Sequence, residues 1–121
     1  MLTKQLLELS ETIQALHELL DEEKNCLKEK SFDGLNTLLF NKQKLLQNIN
    51  SYNKLISTPE NLALIQQTPE LVTLQGEIQT NLQLCQKNNA INGRLIELSM
   101  KSNKHLMQIL TQAKGKNSVT Y

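Results

Sequence analysis

Leucine and isoleucine recur at intervals of three and four along the first segment of the chain, residues 2–30. At 100° per residue these apolar positions fall in one narrow sector of a helical wheel. They are Leu2, Leu6, Leu9, Ile13, Leu16, Leu20 and Leu27. So narrow a stripe is typical of a helix that packs along a seam. The acidic run Asp21-Glu22-Glu23 points in three directions, and we expect it to be solvated.

A second stripe with the same spacing follows in residues 33–57. Its members are Leu35, Leu38, Leu39, Leu45, Leu46, Ile49, Tyr52 and Ile56. Lys42 interrupts the stripe, and we expect its stem to cover apolar surface while its amine reaches solvent. Ser31 and Asp33 are candidate N-caps for this helix. Because the connection between the two segments is short, they are predicted to form an antiparallel helical hairpin over residues 2–57.

Two similar helix-start signals come next, Thr58-Pro59-Glu60 and Thr68-Pro69-Glu70. In each, the threonine can cap a helix, the proline suits its first position, and the glutamate favours the positive end of the helix dipole. They predict a short helical connection over 59–67 and a long helix over 69–114, followed by a tail over 115–121.

The Asn92-Gly93 pair inside this long segment is a turn signal. One interpretation is a continuous helix with a weak centre, and the alternative is a break that creates a fourth helix. Asn89 and Asn92 also fall where the seam requires apolar residues. Buried asparagine at such positions lowers stability and fixes register, whereas asparagine at the rim of the seam is simply hydrated.

Composition supports a helical chain throughout. The 121 residues suit a single domain, with 39% hydrophobic residues but only four Gly and two Pro. Valine, which favours strands, occurs only at Val72 and Val119. The predicted fold is all-α, an elongated antiparallel helical bundle with two N-terminal helices and one long C-terminal helix.

The candidate chemistry excludes several functions. A net charge of +1 without a dense basic face argues against nucleic-acid binding. The histidines His17 and His105 have no partner at motif spacing, so we expect no enzyme, metal or cofactor. Cys26 and Cys85 are expected to be free packing thiols. With no apolar run long enough for a signal peptide or a membrane span, the chain is expected to be cytoplasmic, without membrane insertion.

Two apolar stripes, rather than one, run along the C-terminal part of the long helix. One contains Ile91, Leu95, Leu98, Leu106, Ile109 and Ala113. The other contains Ile96, Met100, Met107 and Leu110. The hairpin needs one stripe, so the stripe of Ile96 is expected to be left over. It would either close a larger bundle or homodimer, or receive an amphipathic partner segment, for which methionine is well suited.

Four features of the chain match a known family: the Leu-rich first helix, Lys42-x-x-Leu45-Leu46, the closing Tyr121 and, most distinctively, the segment Asn89-Ala90-Ile91-Asn92-Gly93-Arg94-Leu95-Ile96. In these features the chain resembles the FlgN family of bacterial flagellar export chaperones. In that family a C-terminal amphipathic helix binds the terminal helical segments of hook-associated (hook–filament junction, FlgK- and FlgL-type) proteins. Binding prevents premature assembly, and the chaperone delivers its clients to the type III export gate.

The resemblance implies a partner-binding site. Position by position it comprises Asn92, Gly93, Ile96, Met100, Asn103, Leu106, Met107 and Leu110. Tyr121 is the implied contact with a component of the export apparatus. The alternative function is a structural coiled-coil scaffold or homo-oligomerisation module, which the narrow seam of the first helix fits equally well. A third, membrane-surface binding by the basic tail, would show as salt-sensitive adsorption to anionic vesicles.

Overall fold

The computed structural model describes residues 1–100, of which 90% are helical. It contains the helices α1 (Leu2–Lys28), α2 (Leu35–Ile56), α3 (Pro59–Gln67) and α4 (Pro69–Met100). No strand occurs in this part of the chain. The predicted all-α bundle is confirmed.

Helices α1 and α2 form an antiparallel hairpin that closes through a helix C-cap motif. The Ser31 amide donates to the Cys26 carbonyl, and Lys30 takes a positive φ of 58°. This backbone conformation usually favours glycine, and here a lysine adopts it. The expectation that Ser31 or Asp33 caps α2 is wrong. The N-cap is Gly34, without a side-chain hydrogen bond, because a backbone turn leads into the helix: the Leu35 amide donates to the Phe32 carbonyl.

The two threonines of the helix-start signals behave differently. The Thr58 hydroxyl accepts a hydrogen bond from the Asn61 amide at 3.3 Å, so it caps α3 as predicted. The Thr68 hydroxyl instead donates to the Leu64 carbonyl at 2.9 Å, closing the last turn of α3. Its backbone carbonyl accepts from the amides of Leu71 and Val72 at the start of α4. The predicted side-chain cap at Thr68 is therefore wrong.

Helix α1 is the central element, since both α2 and α4 pack on it. Helix α4 runs parallel to α1, because Cys85 meets Ile13 and Asn92 meets Leu20. Contacts between α2 and α4 are much sparser than those of either helix with α1. A cleft of about 200 Å³ lies between them, with Leu16 of α1 among its lining residues.

The apolar interior consists of two clusters. The proximal core contains Leu6, Leu9, Ile13, Leu16, Leu20, Ile49, Ile56, Ile65, Leu71, Ile78 and Cys85. The distal core, near the tip of the hairpin, contains Leu27, Phe32, Leu35, Leu39 and Ile96. Apart from the half-buried Leu2, the predicted stripe of α1 is buried in these two clusters.

Helix α4 passes through Asn92-Gly93 without interruption and continues to Met100. The alternative of a break at this pair is therefore wrong. The neighbouring turns pack continuously on α1, which outweighs the local turn preference of the two residues. Residues 101–114 of the predicted long helix, and the tail over 115–121, lie outside the described residues.

Candidate functional site

A cluster of four buried or half-buried polar side chains joins α1, α2 and α4 between the two apolar cores. We call it the polar cluster, and it comprises Glu23, Lys42, Asn89 and Asn92. The Lys42 ammonium lies 3.3 Å from Glu23 Oε2 and donates to Asn89 Oδ1 at 2.9 Å. The Asn92 amide nitrogen donates to the Leu20 carbonyl at 2.9 Å and to Glu23 Oε1 at 3.0 Å. The Glu23 carboxylate of α1 therefore contacts α2 through one oxygen and α4 through the other.

Helical spacing places these residues in the interior. Glu23 stands three residues after Leu20 and four before Leu27, so it fills the only gap in the stripe of α1. Lys42 stands three residues after Leu39 and four before Leu46, in the corresponding gap of α2. The antiparallel hairpin brings these two gaps to the same level. Opposite charges in matching gaps were the sequence signal that could have revealed the pair.

Two expectations about these charges are wrong. The amine of Lys42 does not reach solvent, since the residue is 1% exposed. Glu23 is fully buried, unlike its exposed neighbours Asp21 and Glu22. Each charge is retained inside because the other lies opposite it, where an unpaired one would be too costly to bury. Asn92 is buried, as in the interpretation that places the asparagines within the seam. Asn89 is half-buried.

The interactions within the polar cluster do not fully compensate for the burial of its polar groups. Burial lowers the pKa of Lys42 to about 8, although the charge of Glu23 and the hydrogen bond to it both act to raise this pKa. The Asn92 Oδ1 atom is buried without a hydrogen-bond partner. Such a cluster contributes little net stability compared with apolar packing, but it disfavours other registers of the three helices. We therefore interpret it as a positioning element.

The apolar surface of α4 is distributed differently from the prediction. Ile96, expected on the leftover stripe, is 4% exposed and packs in the distal core. Apolar side chains of the other stripe are exposed instead: Ile91 at 37% and Leu98 at 65%. Leu84 precedes them by one and two heptads and is 47% exposed. We call Leu84, Ile91 and Leu98 the outer strip.

The structure thus divides the predicted partner-binding residues. Asn92, Gly93 and Ile96 are buried on the inner side of α4, so a partner reaches these residues only if α4 separates from the hairpin. The expectation that the stripe of Ile96 is left over is wrong at this residue, because the hairpin tip covers it. The side chain of Met100 and all of Asn103, Leu106, Met107, Leu110 and Tyr121 lie outside the described residues. Their binding roles stay predictions.

The remaining chemistry of the described residues is limited. Cys26 and Cys85 are free, and Cys85 is buried with its sulfur 3.8 Å from the Ile13 carbonyl oxygen. Burial raises the pKa of the Cys85 thiol, which keeps it protonated and unreactive. No group of three or more metal-ligating side chains converges within residues 1–100. None of helices α1 to α4 is long and apolar enough to cross a membrane.

Such an arrangement, with a polar positioning cluster inside and apolar side chains on the outside of α4, is typical of a helical binding protein. The family model described as FlgN protein matches residues 1–121, the whole chain. The chain belongs to the FlgN family, a family of flagellar export chaperones. No curated protein and no solved structure matches it.

Proposed function

We propose that this protein is a cytoplasmic export chaperone for hook-associated flagellar proteins of the FlgK and FlgL type. It binds their terminal helical segments, prevents premature assembly, and delivers them to the type III export gate. Family membership supports the chaperone role in flagellar export. The structure supports a binding role, since the two buried charged residues of the described range, Glu23 and Lys42, pair with each other and join helices.

The observation that carries the proposal is the uncovered apolar surface at the carboxyl end of α4. Leu98, in the last described turn, is 65% exposed. The sequence continues from there into the predicted binding residues Asn103, Leu106, Met107 and Leu110. An amphipathic client helix that buries its apolar face on this surface is no longer available for assembly with other copies. Burial contributes roughly 25 cal/mol per Å² of apolar area, less the cost of ordering the client.

The buried residues of the predicted site have a supporting role in this proposal. Asn92 and Ile96 hold α4 against α1 and the hairpin tip, which fixes the rotation of the carboxyl end of α4 relative to the hairpin. Client contact is assigned to Met100, Asn103, Leu106, Met107 and Leu110. Tyr121 is the proposed contact with the export apparatus.

Calorimetric titration of the full chain with a synthetic terminal helical segment of a hook-associated protein tests this proposal. We expect saturable binding, and at least about a tenfold loss of affinity in the Leu106→Asp/Leu110→Asp variant. Phe40→Asp is the matched control, because Phe40 is 59% exposed and lies on α2 rather than on α4. Absence of binding by the unmodified chain, or equal binding by all variants, would refute the proposed function.

The rival function, a self-assembling scaffold, is tested by the molar mass of the free chain. Light scattering across a wide concentration range distinguishes a monomer from a dimer. A dimer that keeps the same mass on dilution and competes with the client segment would favour the scaffold over the chaperone.

A further inference from the structure

The outer strip forms one apolar line along α4. Its three members are spaced by seven residues, so each lies only about 20° from the previous one around the helix. From Leu84 to Leu98 the line extends about 21 Å, at 1.5 Å per residue. It lies roughly 100° away from the inner seam of Ile78, Cys85 and Asn92, which faces α1. The described part of the chain leaves this strip exposed.

A row of basic side chains borders the outer strip on one side. Lys87 stands between Leu84 and Ile91, three residues after one and four before the other, and Arg94 stands likewise between Ile91 and Leu98. Both are exposed, and neither forms a salt bridge with another residue in the described range. Glu97 lies about 120° around the helix from the middle of the strip, beyond Arg94.

The chain's own C-terminal segment is a poor occupant for this strip. No acidic residue follows Glu97, whereas Lys101, Lys104, Lys114 and Lys116 do. A segment that carries only positive charge is repelled by the row of Lys87 and Arg94. The strip is also short for a stable homodimer, since it has three apolar positions where a coiled coil sustains its pattern over three or four heptads.

We propose that the outer strip is a docking site for an amphipathic helix whose apolar ridge is bordered on one side by Asp or Glu. This inference rests on the proposed function, because it assigns that helix to the client. The client helix lies along α4, with its ridge on Leu84, Ile91 and Leu98 and its acidic border against Lys87 and Arg94. Contact with the client thus extends two heptads back from Leu98 onto the body of the bundle. The apolar strip supplies affinity, and the basic row fixes the direction and register of the client.

Two double variants of the full chain separate these contributions. We expect Leu84→Gln/Leu98→Gln to weaken binding of the synthetic client segment at least about tenfold at any salt concentration. Lys87→Glu/Arg94→Glu is expected to weaken it about five- to tenfold at roughly 0.05 M salt, and far less at roughly 0.5 M salt, where charges are screened. A client segment with its Asp and Glu replaced by Asn and Gln should bind the unmodified chain and Lys87→Glu/Arg94→Glu with equal affinity.

Matched controls change equivalent groups elsewhere. Phe40→Gln removes an exposed apolar side chain from α2, and Lys4→Glu/Lys44→Glu reverses two exposed charges outside α4. All variants alter exposed side chains, so circular dichroism should show an unchanged helical content.

Three outcomes would overturn the inference. One outcome is that Leu84→Gln/Leu98→Gln and Lys87→Glu/Arg94→Glu both bind the segment as the unmodified chain does, while Leu106→Asp/Leu110→Asp fails to bind it. The proposed function then stands, and the outer strip is not part of the site. If the strip variants convert a dimer to a monomer and leave client binding intact, the occupant is a second copy. If the unmodified chain does not bind the segment, the proposed function fails, and the inference fails with it.

Discussion

The two sides of α4 contrast in an unexpected direction. Its inner side faces α1 and buries the polar Asn92 among apolar residues such as Ile78 and Ile96, while its outer side exposes the apolar residues Leu84, Ile91 and Leu98. A helix that served only to complete its own bundle would carry polar residues along its outer side and apolar residues along its inner side. The difference is expected under the proposed function, in which the sequence of α4 meets two requirements, one for positioning within the chain and one for contact with a client.

The polar residues on the inner side of α4 set the register of the helices rather than adding to the stability of the bundle. The polar cluster separates the proximal core from the distal core and fixes the level at which α1, α2 and α4 meet. An apolar seam of Leu and Ile alone would tolerate several registers. In a chaperone the register matters, because it determines where α4 carries its exposed residues.

Removing one charge from the polar cluster should produce the largest effect on the inner side. Lys42→Met removes the cation beside the buried Glu23 carboxylate. We expect a loss of about 3–5 kcal/mol in the free energy of unfolding, measured by urea titration with circular dichroism. The exposed Lys54→Met is the control and should stay within about 0.5 kcal/mol of the unmodified chain. A loss from Lys42→Met no larger than that of the control would mean that the pair is solvated.

Truncation of two isoleucines on α4 compares its two sides directly. Ile96→Ala should lower the free energy of unfolding by about 2–5 kcal/mol, because it leaves a cavity in the distal core. Ile91→Ala should cost much less, since that side chain is 37% exposed. Equal losses in the same urea titration would contradict the assignment of inner and outer sides.

The pH dependence of stability tests the burial of Lys42 most finely. Its pKa is about 8 in the folded chain and 10.5 ordinarily, so between these values the unfolded chain binds more protons. Stability from this group therefore rises as pH increases from about 8 to 10.5. The reference is Glu23→Leu/Lys42→Met, which lacks both charges and should be as stable as the unmodified chain or more so at neutral pH.

We expect the free energy of unfolding of the unmodified chain to rise by about 1–3 kcal/mol relative to that of this variant across the same pH range. Tyr52 also titrates at high pH, and its hydrogen bond to Glu8 raises its pKa, but both chains contain it. A constant difference would show that the Lys42 ammonium keeps its ordinary pKa.

Much of the fold followed from periodicity. The stripes of α1 and α2, the cap at Thr58 and the start of α4 at Pro69 were predictable because each rests on local spacing or on one residue's chemistry. Burial of the Glu23–Lys42 pair was not predicted, because single-helix reasoning treats every charge as solvated. Predicting this burial requires the interruptions of the apolar stripes of α1 and α2 to be compared across the hairpin.

The candidate site was predictable only in part. Sequence spacing identified two apolar stripes on α4, but not which of them the hairpin covers. That choice depends on the rotation of α4 about its axis, which is fixed by contacts such as Asn92 with the Leu20 carbonyl and Ile96 with the distal core. Of the stripe expected to be internal, Ile91 and Leu98 are exposed, while Leu95 is half-buried against the distal core.

The most direct test of the account uses the methyl groups of Ile91 and Ile96, five residues apart on opposite sides of α4. Methyl NMR spectra of the full chain are recorded while the synthetic client segment is added. We predict that the Ile91 signal shifts and gains intermolecular cross-peaks, while the Ile96 signal is unchanged because that side chain stays in the distal core. Cross-peaks from the client to Ile96, with an unchanged Ile91, would contradict it.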